Sequence, residues 1–312
     1  MYAVIKAIEY YLPERILTNE QLALDFPDWS AEKILAKTGI SQRHIADVNE
    51  RASDLAYKAA QKLFASGACN PDDIDFLLLC TQCPDYPLPT TACILQDRLG
   101  LPTSCGALDF NLGCSGYIYG LSLAKGLIES GQAKNVLLIT AETYSKYINH
   151  DDKGTRTIFG DGAAATLVYG VNSDYPLIHP VVLGTDGKGV DNLIVRNNVL
   201  YMNGPEIFTF TLKCVPQVVA KLLDGANKQV ADIDLFIFHQ ANKYMLDHLR
   251  KKINIPEEKF YIYMENVGNT VSATIPIALK HALIDGKIKS GNLVMLVGFG
   301  VGYSWGGTIV RV

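Results

Sequence analysis

Four short runs of almost uninterrupted apolar residues stand out along the chain, at 74–80, 135–141, 233–238 and 293–297. Runs of this length without polar alternation are typical of strands that are buried on both faces of a parallel sheet. Segments with helical periodicity lie around them, for example at 53–65. The alternation of strand-type and helix-type segments predicts an α/β fold.

The pattern occurs twice. Residues 73–79, Asp-Ile-Asp-Phe-Leu-Leu-Leu, match residues 232–238, Asp-Ile-Asp-Leu-Phe-Ile-Phe, and residues 135–139 match residues 292–296 at nearly the same spacing. Because a shared spacing between several matches indicates an internal repeat, we expect two similar halves built from βαβ units. We place their boundary after residue 170, which gives halves of residues 1–170 and 171–312.

Three residues that could take part in catalysis lie near predicted strand ends in these halves. Cys114 lies in Gly-Cys-Ser-Gly-Tyr at a predicted strand-to-helix turn, and Asn269 is its counterpart in the second half. His239 directly follows a strand-type run, so we expect all three at one shared centre near the strand ends. Free backbone N–H groups and the helix dipole there favour a thiolate, which predicts that Cys114 has the lowest pKa of the seven cysteines.

A cysteine, a neutral histidine and an asparagine at one centre suit acyl transfer. Cys114 can accept an acyl group from a thioester, and His239 and Asn269 can donate hydrogen bonds to a developing oxyanion. Each residue alone has a simpler interpretation: a small buried apolar side chain, a structural histidine and a turn asparagine. A papain-like protease has the same order of residues, but Cys114 lies in mid-chain and inside the repeat.

Composition narrows the class of protein. The 312 residues carry a net charge of −4, which argues against a nucleic-acid-binding surface. The N-terminus lacks a signal-peptide pattern, and no apolar run is long enough to span a bilayer, so we expect a cytoplasmic protein. Seven cysteines, an odd number, indicate reduced thiols. The lone pair Cys80 and Cys83 has no second pair, so we expect no metal site.

With these residues in place, the chain resembles the β-ketoacyl-acyl-carrier-protein synthase III family of the thiolase superfamily. The resemblance is carried by segments 38–40, 113–117, 159–163, 202–204, 239–242, 266–270 and 298–306. It implies a thiolase-like fold with α-β-α-β-α layers, a homodimer, and an acyl carrier protein as partner. It also implies a decarboxylating condensation in fatty-acid or related biosynthesis, with coenzyme A or pantetheine thioesters as substrates and no further cofactor.

The resemblance also assigns roles. Cys114 would carry the acyl group, while His239 and Asn269 would hold the carbonyl of a malonyl thioester as carbon dioxide leaves. The backbone N–H groups of Cys114 and Val301 would form the oxyanion hole for acylation. Leu88 would close the acyl pocket of a partner subunit, and Phe208 would contact substrate.

The chain departs from the family where the adenine of coenzyme A is usually held. Lys33 and Lys37 stand at the positions of a tryptophan and an arginine, and Lys153 and Tyr244 replace two further arginines. Lysine cannot stack or form a planar fork as arginine does, so we expect a carrier-bound or unusual acyl donor.

A basic run lies after His239 and has two interpretations. It is either a solvated face or a docking surface for an acidic carrier protein. Its members are Lys243, Arg250, Lys251 and Lys252. Two other functions stay open at this point: a related acyltransferase that forms esters or amides without decarboxylation, and a non-catalytic subunit that binds acyl chains. A thiolase proper is disfavoured because residues 298–306 contain no second cysteine.

Overall fold

The computed structural model describes residues 1–312. Its strands are β1 (Tyr2–Tyr11), β2 (Arg15–Thr18), β3 (Gln42–Ile45), β4 (Phe76–Cys80), β5 (Gly106–Phe110), β6 (Asn135–Glu142), β7 (Gly162–Val171), β8 (Val182–Thr185), β9 (Leu193–Arg196), β10 (Val199–Met202), β11 (Leu235–Phe238), β12 (Leu293–Gly300) and β13 (Ser304–Arg311). Its helices are α1 (Asn19–Asp25), α2 (Ala31–Thr38), α3 (Ala52–Ala65), α4 (Thr91–Arg98), α5 (Gly116–Glu129), α6 (Lys153–Arg156), α7 (Gly204–Ala226), α8 (Lys243–Ile253) and α9 (Thr274–Ile284).

Two sheets repeat one topology. The first has the order β1-β7-β6-β4-β5, and the second has the order β8-β13-β12-β11. In each, a parallel pair, β4 with β6 and β11 with β12, is followed by two antiparallel strands. The repeated apolar runs of the sequence are these parallel pairs. We propose residue 170 as the boundary between the halves, at the end of β7.

The sheets stack with helices between and outside them. Helices α5 and α9 contact both sheets, whereas α3 covers the far side of the first sheet and α7 the far side of the second. Successive residues of β4 accordingly enter different cores: Leu78 packs in the central layer, and Leu77 and Leu79 pack outside it. The α-β-α-β-α layers that the resemblance implied are therefore confirmed.

Helix α7 contains Pro216, a residue that usually interrupts a helix, but it runs without a break from Gly204 to Ala226. A proline inside a helix removes one hydrogen bond and costs about 3 kcal/mol. Burial of the face that carries Val215, Val218 and Val219 against the second sheet offsets that cost. No helix of the chain is both long and apolar enough to cross a bilayer.

The start of α5 is held tightly against the end of β4. A Cβ atom added to Gly116 would lie 2.2 Å from Sγ of Cys80, so only glycine fits there. The Cys80 thiol in turn donates a hydrogen bond of 2.9 Å to the carbonyl oxygen of Leu112. This close contact fixes the turn that carries Cys114.

We predict that Gly116→Ala lowers the melting temperature, because the new methyl group overpacks the contact with Cys80 at a cost of about 1–3 kcal/mol. Thermal unfolding followed by circular dichroism measures this. Gly126→Ala is the matched control, since it lies in the same helix with no atom within 4 Å of the added Cβ. The double variant Cys80→Ala/Gly116→Ala should recover most of the loss. Equal melting temperatures for Gly116→Ala and Gly126→Ala would contradict the prediction.

Candidate active site

A cavity of about 670 Å³ lies at the ends of β11 and β12, beside the turn before α5. Cys114, His239 and Asn269 all contribute to its wall, so the structure brings the three residues together. They are 5%, 2% and 3% exposed, respectively. No aspartate or glutamate lines this cavity. No group of three or more histidine, cysteine or acidic side chains in the chain is arranged to hold a metal ion.

Helix α5 begins at Gly116 with Ser115 as its N-cap, so Cys114 lies directly before the N-cap. The backbone N–H groups of Val301 and of Cys114 itself lie close enough to the sulfur to favour its charged form. Gly300 makes the close approach of this loop possible, since a Cβ atom there would lie 2.8 Å from Sγ. Two backbone donors therefore lie beside the sulfur.

The expectation that Cys114 is a thiolate with the lowest pKa is wrong. Burial raises the pKa of the Cys114 thiol to about 12, although the two N–H groups act in the opposite direction. Removal from water disfavours the charged form more than these donors stabilise it. The resting sulfur carries its proton.

His239 directly follows β11, and its backbone N–H donates to the carbonyl of Val297 at 2.8 Å. Its Nδ1 lies 2.7 Å from Oγ1 of Thr274. The edge of the ring packs on Phe299, with centroids 5.6 Å apart. Burial lowers the pKa of His239 to about 3, so the imidazole is neutral at physiological pH. It can donate one hydrogen bond but carries no charge.

Asn269 does not begin a helix, unlike the position expected from the repeat. It precedes a short 3-10 turn, Val271–Ala273, and α9 begins only at Thr274. Its Oδ1 accepts a hydrogen bond of 2.9 Å from the N–H of Val271, and its Nδ2 donates to the carbonyl of Ala241 at 3.3 Å. The amide is therefore oriented, with one N–H of Nδ2 left to point into the cavity.

Glu142, which the sequence analysis did not single out, joins the two halves beneath the site. It accepts hydrogen bonds from the hydroxyl of Ser272 at 2.7 Å and from the N–H of Gln82 at 3.0 Å. Burial raises the pKa of this carboxyl to about 8. Because Ser272 lies three residues after Asn269, this contact fixes the loop that carries the asparagine.

Three of the expected substrate contacts meet at the cavity mouth. The ammonium groups of Lys33, Lys37 and Lys153 lie 5.7, 4.6 and 5.4 Å from the ring centroid of Trp29. Trp29 lines the cavity with Lys37, and the sequence analysis missed it. The feature of the sequence that could have identified Trp29 is its position four residues before Lys33, the spacing of about one helical turn. Asp28 pairs with Lys153 at 2.6 Å.

The other expected contacts are divided between two places. Phe208 lines the cavity and packs on Tyr244, with ring centroids 5.5 Å apart. Leu88 lies outside the cavity and is 81% exposed.

The basic residues of α8 differ in their contacts. Lys243 pairs with Asp247 at 2.8 Å, and Arg250 pairs with Glu257 at 3.3 Å. Lys251 and Lys252 are exposed and form no ion pair.

We predict that iodoacetamide modifies the exposed Cys93 before Cys114 at pH 7. Since the raised pKa leaves little thiolate, the rate at Cys114 should rise about tenfold per pH unit between pH 7 and 10. Mass spectrometry of digested protein measures both sites, with Cys93→Ser as control. Preferential modification of Cys114 at pH 7, or a rate that is flat with pH, would contradict the prediction.

Comparisons with known proteins agree on one family. The models for 3-oxoacyl-[acyl-carrier-protein] synthase III and for its C-terminal part match residues 108–187 and 223–312. A β-ketoacyl-[acyl-carrier-protein] synthase III of Clostridium perfringens is 39% identical over 97% of both chains. One from Clostridioides difficile is 38% identical over 99% of this chain and 98% of its own.

Solved structures give the same result. A crystal structure of a 3-oxoacyl-(acyl-carrier-protein) synthase III superposes with a TM-score of 0.98 and 53% identity over the full length of both chains. The synthase III of Thermus thermophilus has a TM-score of 0.93 and 36% identity over 99% of both chains. The chain therefore belongs to the β-ketoacyl-acyl-carrier-protein synthase III family of thiolase-like acyltransferases, which condense an acyl thioester with malonyl-acyl-carrier protein in fatty-acid biosynthesis.

Proposed function

We propose that Cys114, His239 and Asn269 divide the two steps of this condensation between them. The observation that carries the proposal is one cavity in which a sulfur faces two backbone N–H groups and two neutral side chains supply further N–H donors. Such a set of donors stabilises oxyanions without taking a proton from carbon.

In the first step, Cys114 attacks the carbonyl carbon of an acyl thioester. A bond forms between Sγ and the acyl carbon, the thioester bond of the donor breaks, and the proton of Cys114 ends on the departing thiol. The N–H groups of Cys114 and Val301 stabilise the tetrahedral oxyanion. The proton that the sulfur loses is the one that the departing thiol gains, so the acylation step has no net uptake or release of protons.

In the second step, a malonyl thioester occupies the same cavity. His239 and Asn269 donate hydrogen bonds to its thioester carbonyl while the bond to the carboxylate breaks and carbon dioxide leaves. The electron pair passes into the enolate, whose carbon forms a bond to the acyl carbon while the bond between that carbon and Sγ of Cys114 breaks. The sulfur leaves as a thiolate and takes up a proton from solvent, which restores the resting thiol. Since no carboxylate lines the cavity, loss of carbon dioxide rather than proton abstraction generates the enolate. No observation favours the ester-forming or non-catalytic alternatives.

We predict that Cys114→Ala abolishes acylation, and that His239→Ala lowers malonyl decarboxylation about 100-fold or more while acylation changes by less than about threefold, because the imidazole acts only on the second carbonyl. Intact-protein mass spectrometry measures acylation, and release of labelled carbon dioxide measures decarboxylation. His150→Ala is the control, since this exposed histidine lies outside the cavity wall. Equal losses of both half-reactions in His239→Ala would contradict the division of roles.

We also propose that the acyl donor is recognised through its phosphopantetheine arm rather than through adenine. Lys33, Lys37 and Lys153 already surround the ring of Trp29, so an adenine could stack there only by displacing a cation. Only Lys153 has a carboxylate partner, which leaves two ammonium groups for a phosphate.

This proposal predicts that acyl-coenzyme A and acyl-phosphopantetheine acylate Cys114 with kcat/KM values within about threefold of each other. Acyl-pantetheine, which lacks the phosphate, should be about 10- to 100-fold poorer, because a charge-assisted contact contributes roughly 1.5–3 kcal/mol. Lys37→Ala should shrink the difference between the last two donors. A preference of tenfold or more for the coenzyme A thioester would overturn the proposal.

We further propose a homodimer formed along β5. This strand is an edge of the first sheet, and Leu108 at its centre is 45% exposed. A second cavity of about 260 Å³, beside Asn111 and Val301, lies at its end. Pairing of β5 with a second copy would cover the open edge, and Leu88 of the partner subunit would then close the acyl pocket.

The exposed ends of Lys251 and Lys252 are the best candidates for carrier-protein docking. Lys243 and Arg250 already have acidic partners, so they contribute less net positive charge. We propose that all four residues form the docking face of α8, with the two unpaired lysines supplying most of the attraction to an acidic carrier.

A further inference from the structure

The hydroxyl of Thr274 is the only group that hydrogen-bonds to the imidazole of His239. Oγ1 lies 2.7 Å from Nδ1, and both side chains are buried. Thr274 is the first residue of α9, five residues after Asn269, so the loop that carries the asparagine also delivers this hydroxyl. The other ring nitrogen, Nε2, makes no hydrogen bond within the protein, and His239 lines the cavity.

Two further groups surround the same hydroxyl. The N–H of Gln240 donates to Oγ1 at 3.4 Å, and the carbonyl of Val271 lies 3.2 Å from it. A hydroxyl has one hydrogen to donate, so it donates either to Nδ1 or to the carbonyl. In the first case the ring hydrogen is on Nε2; in the second it is on Nδ1, and Nε2 presents only a lone pair.

The distances distinguish these arrangements. The contact with Nδ1 is 0.5 Å shorter than the contact with the carbonyl of Val271. The N–H of Gln240 donates into the same oxygen, and a hydroxyl that accepts a hydrogen bond becomes a stronger donor. An O–H···O hydrogen bond spans about 2.5–3.0 Å, so the 3.2 Å contact with the carbonyl is long for a donated hydrogen, whereas the 2.7 Å contact with Nδ1 suits one.

We propose that Thr274 is a positioning residue that donates its hydroxyl hydrogen to Nδ1 of His239 and thereby keeps the ring hydrogen on Nε2, where it meets the malonyl thioester carbonyl. The inference rests on the role proposed above for His239. It adds that Thr274, the first residue of α9, determines which nitrogen of this imidazole carries the hydrogen. A neutral imidazole without this partner can place its hydrogen on either nitrogen.

The test compares Thr274→Val, which keeps the shape but loses the hydroxyl, with Thr274→Ser, which keeps the hydroxyl. Valine should lower malonyl decarboxylation about 10- to 100-fold, as loss of a group that orients an imidazole does, while acylation of Cys114 changes by less than about threefold. Serine should retain most of both activities. A merely structural role would lower both half-reactions together.

A spectroscopic measurement makes the test independent of folding of the variants. In wild-type protein labelled with ¹⁵N-histidine, the His239 ring should show a protonated Nε2 and an unprotonated Nδ1, with His239→Gln identifying its signals. A protonated Nδ1 in the wild type would overturn the inference, as would Thr274→Val with wild-type decarboxylation. Normal decarboxylation by His239→Ala would instead overturn the proposed function itself, so the two failures are distinguishable.

Discussion

Burial of the three site residues where the two halves of the chain meet is the constraint on which the site depends. Cys114, His239 and Asn269 are each at most 5% exposed, and the same burial raises the pKa of the thiol and lowers that of the imidazole. Both groups are consequently neutral at rest, and each hydrogen bond made in the cavity acts in a medium of low dielectric constant. The chemistry follows from this neutrality: donors stabilise negative charge as it develops, and no carboxylate in the cavity wall competes with it.

The site draws residues from both halves of the chain, and specific contacts hold the two halves in place. The hydrogen bond between Glu142 and Ser272 joins the first sheet to the loop of Asn269. A parallel bridge between Phe159 and Asn269 supports the same loop from the other side. Arg43, which is fully buried, binds the carbonyls of Leu17 and Thr157 and so ties the segment before α2 to this framework. The asparagine is therefore positioned by these contacts of its loop and not by a helix start.

The strands of the two sheets, and the residues at their ends, could be predicted from the sequence. Apolar runs of strand length are visible locally, and His239 directly follows one. Cys114 could be placed by its Gly-Cys-Ser-Gly-Tyr turn and by the internal repeat. Trp29 and Lys153 could not be brought together in this way, because the 123 residues between them must fold first. The state of the Cys114 thiol was also beyond local reasoning. The turn before α5 predicts a stabilised thiolate, but desolvation by all the surrounding elements decides the outcome. Thr274 was missed because its approach to His239 depends on the 3-10 turn that precedes α9.

The protonated sulfur of Cys114 has a consequence for the lifetime of the protein. Hydrogen peroxide attacks thiolates, and a buried thiol with a raised pKa is a poor target for it. The burial that keeps the proton on the sulfur therefore also disfavours sulfenic acid formation between turnovers.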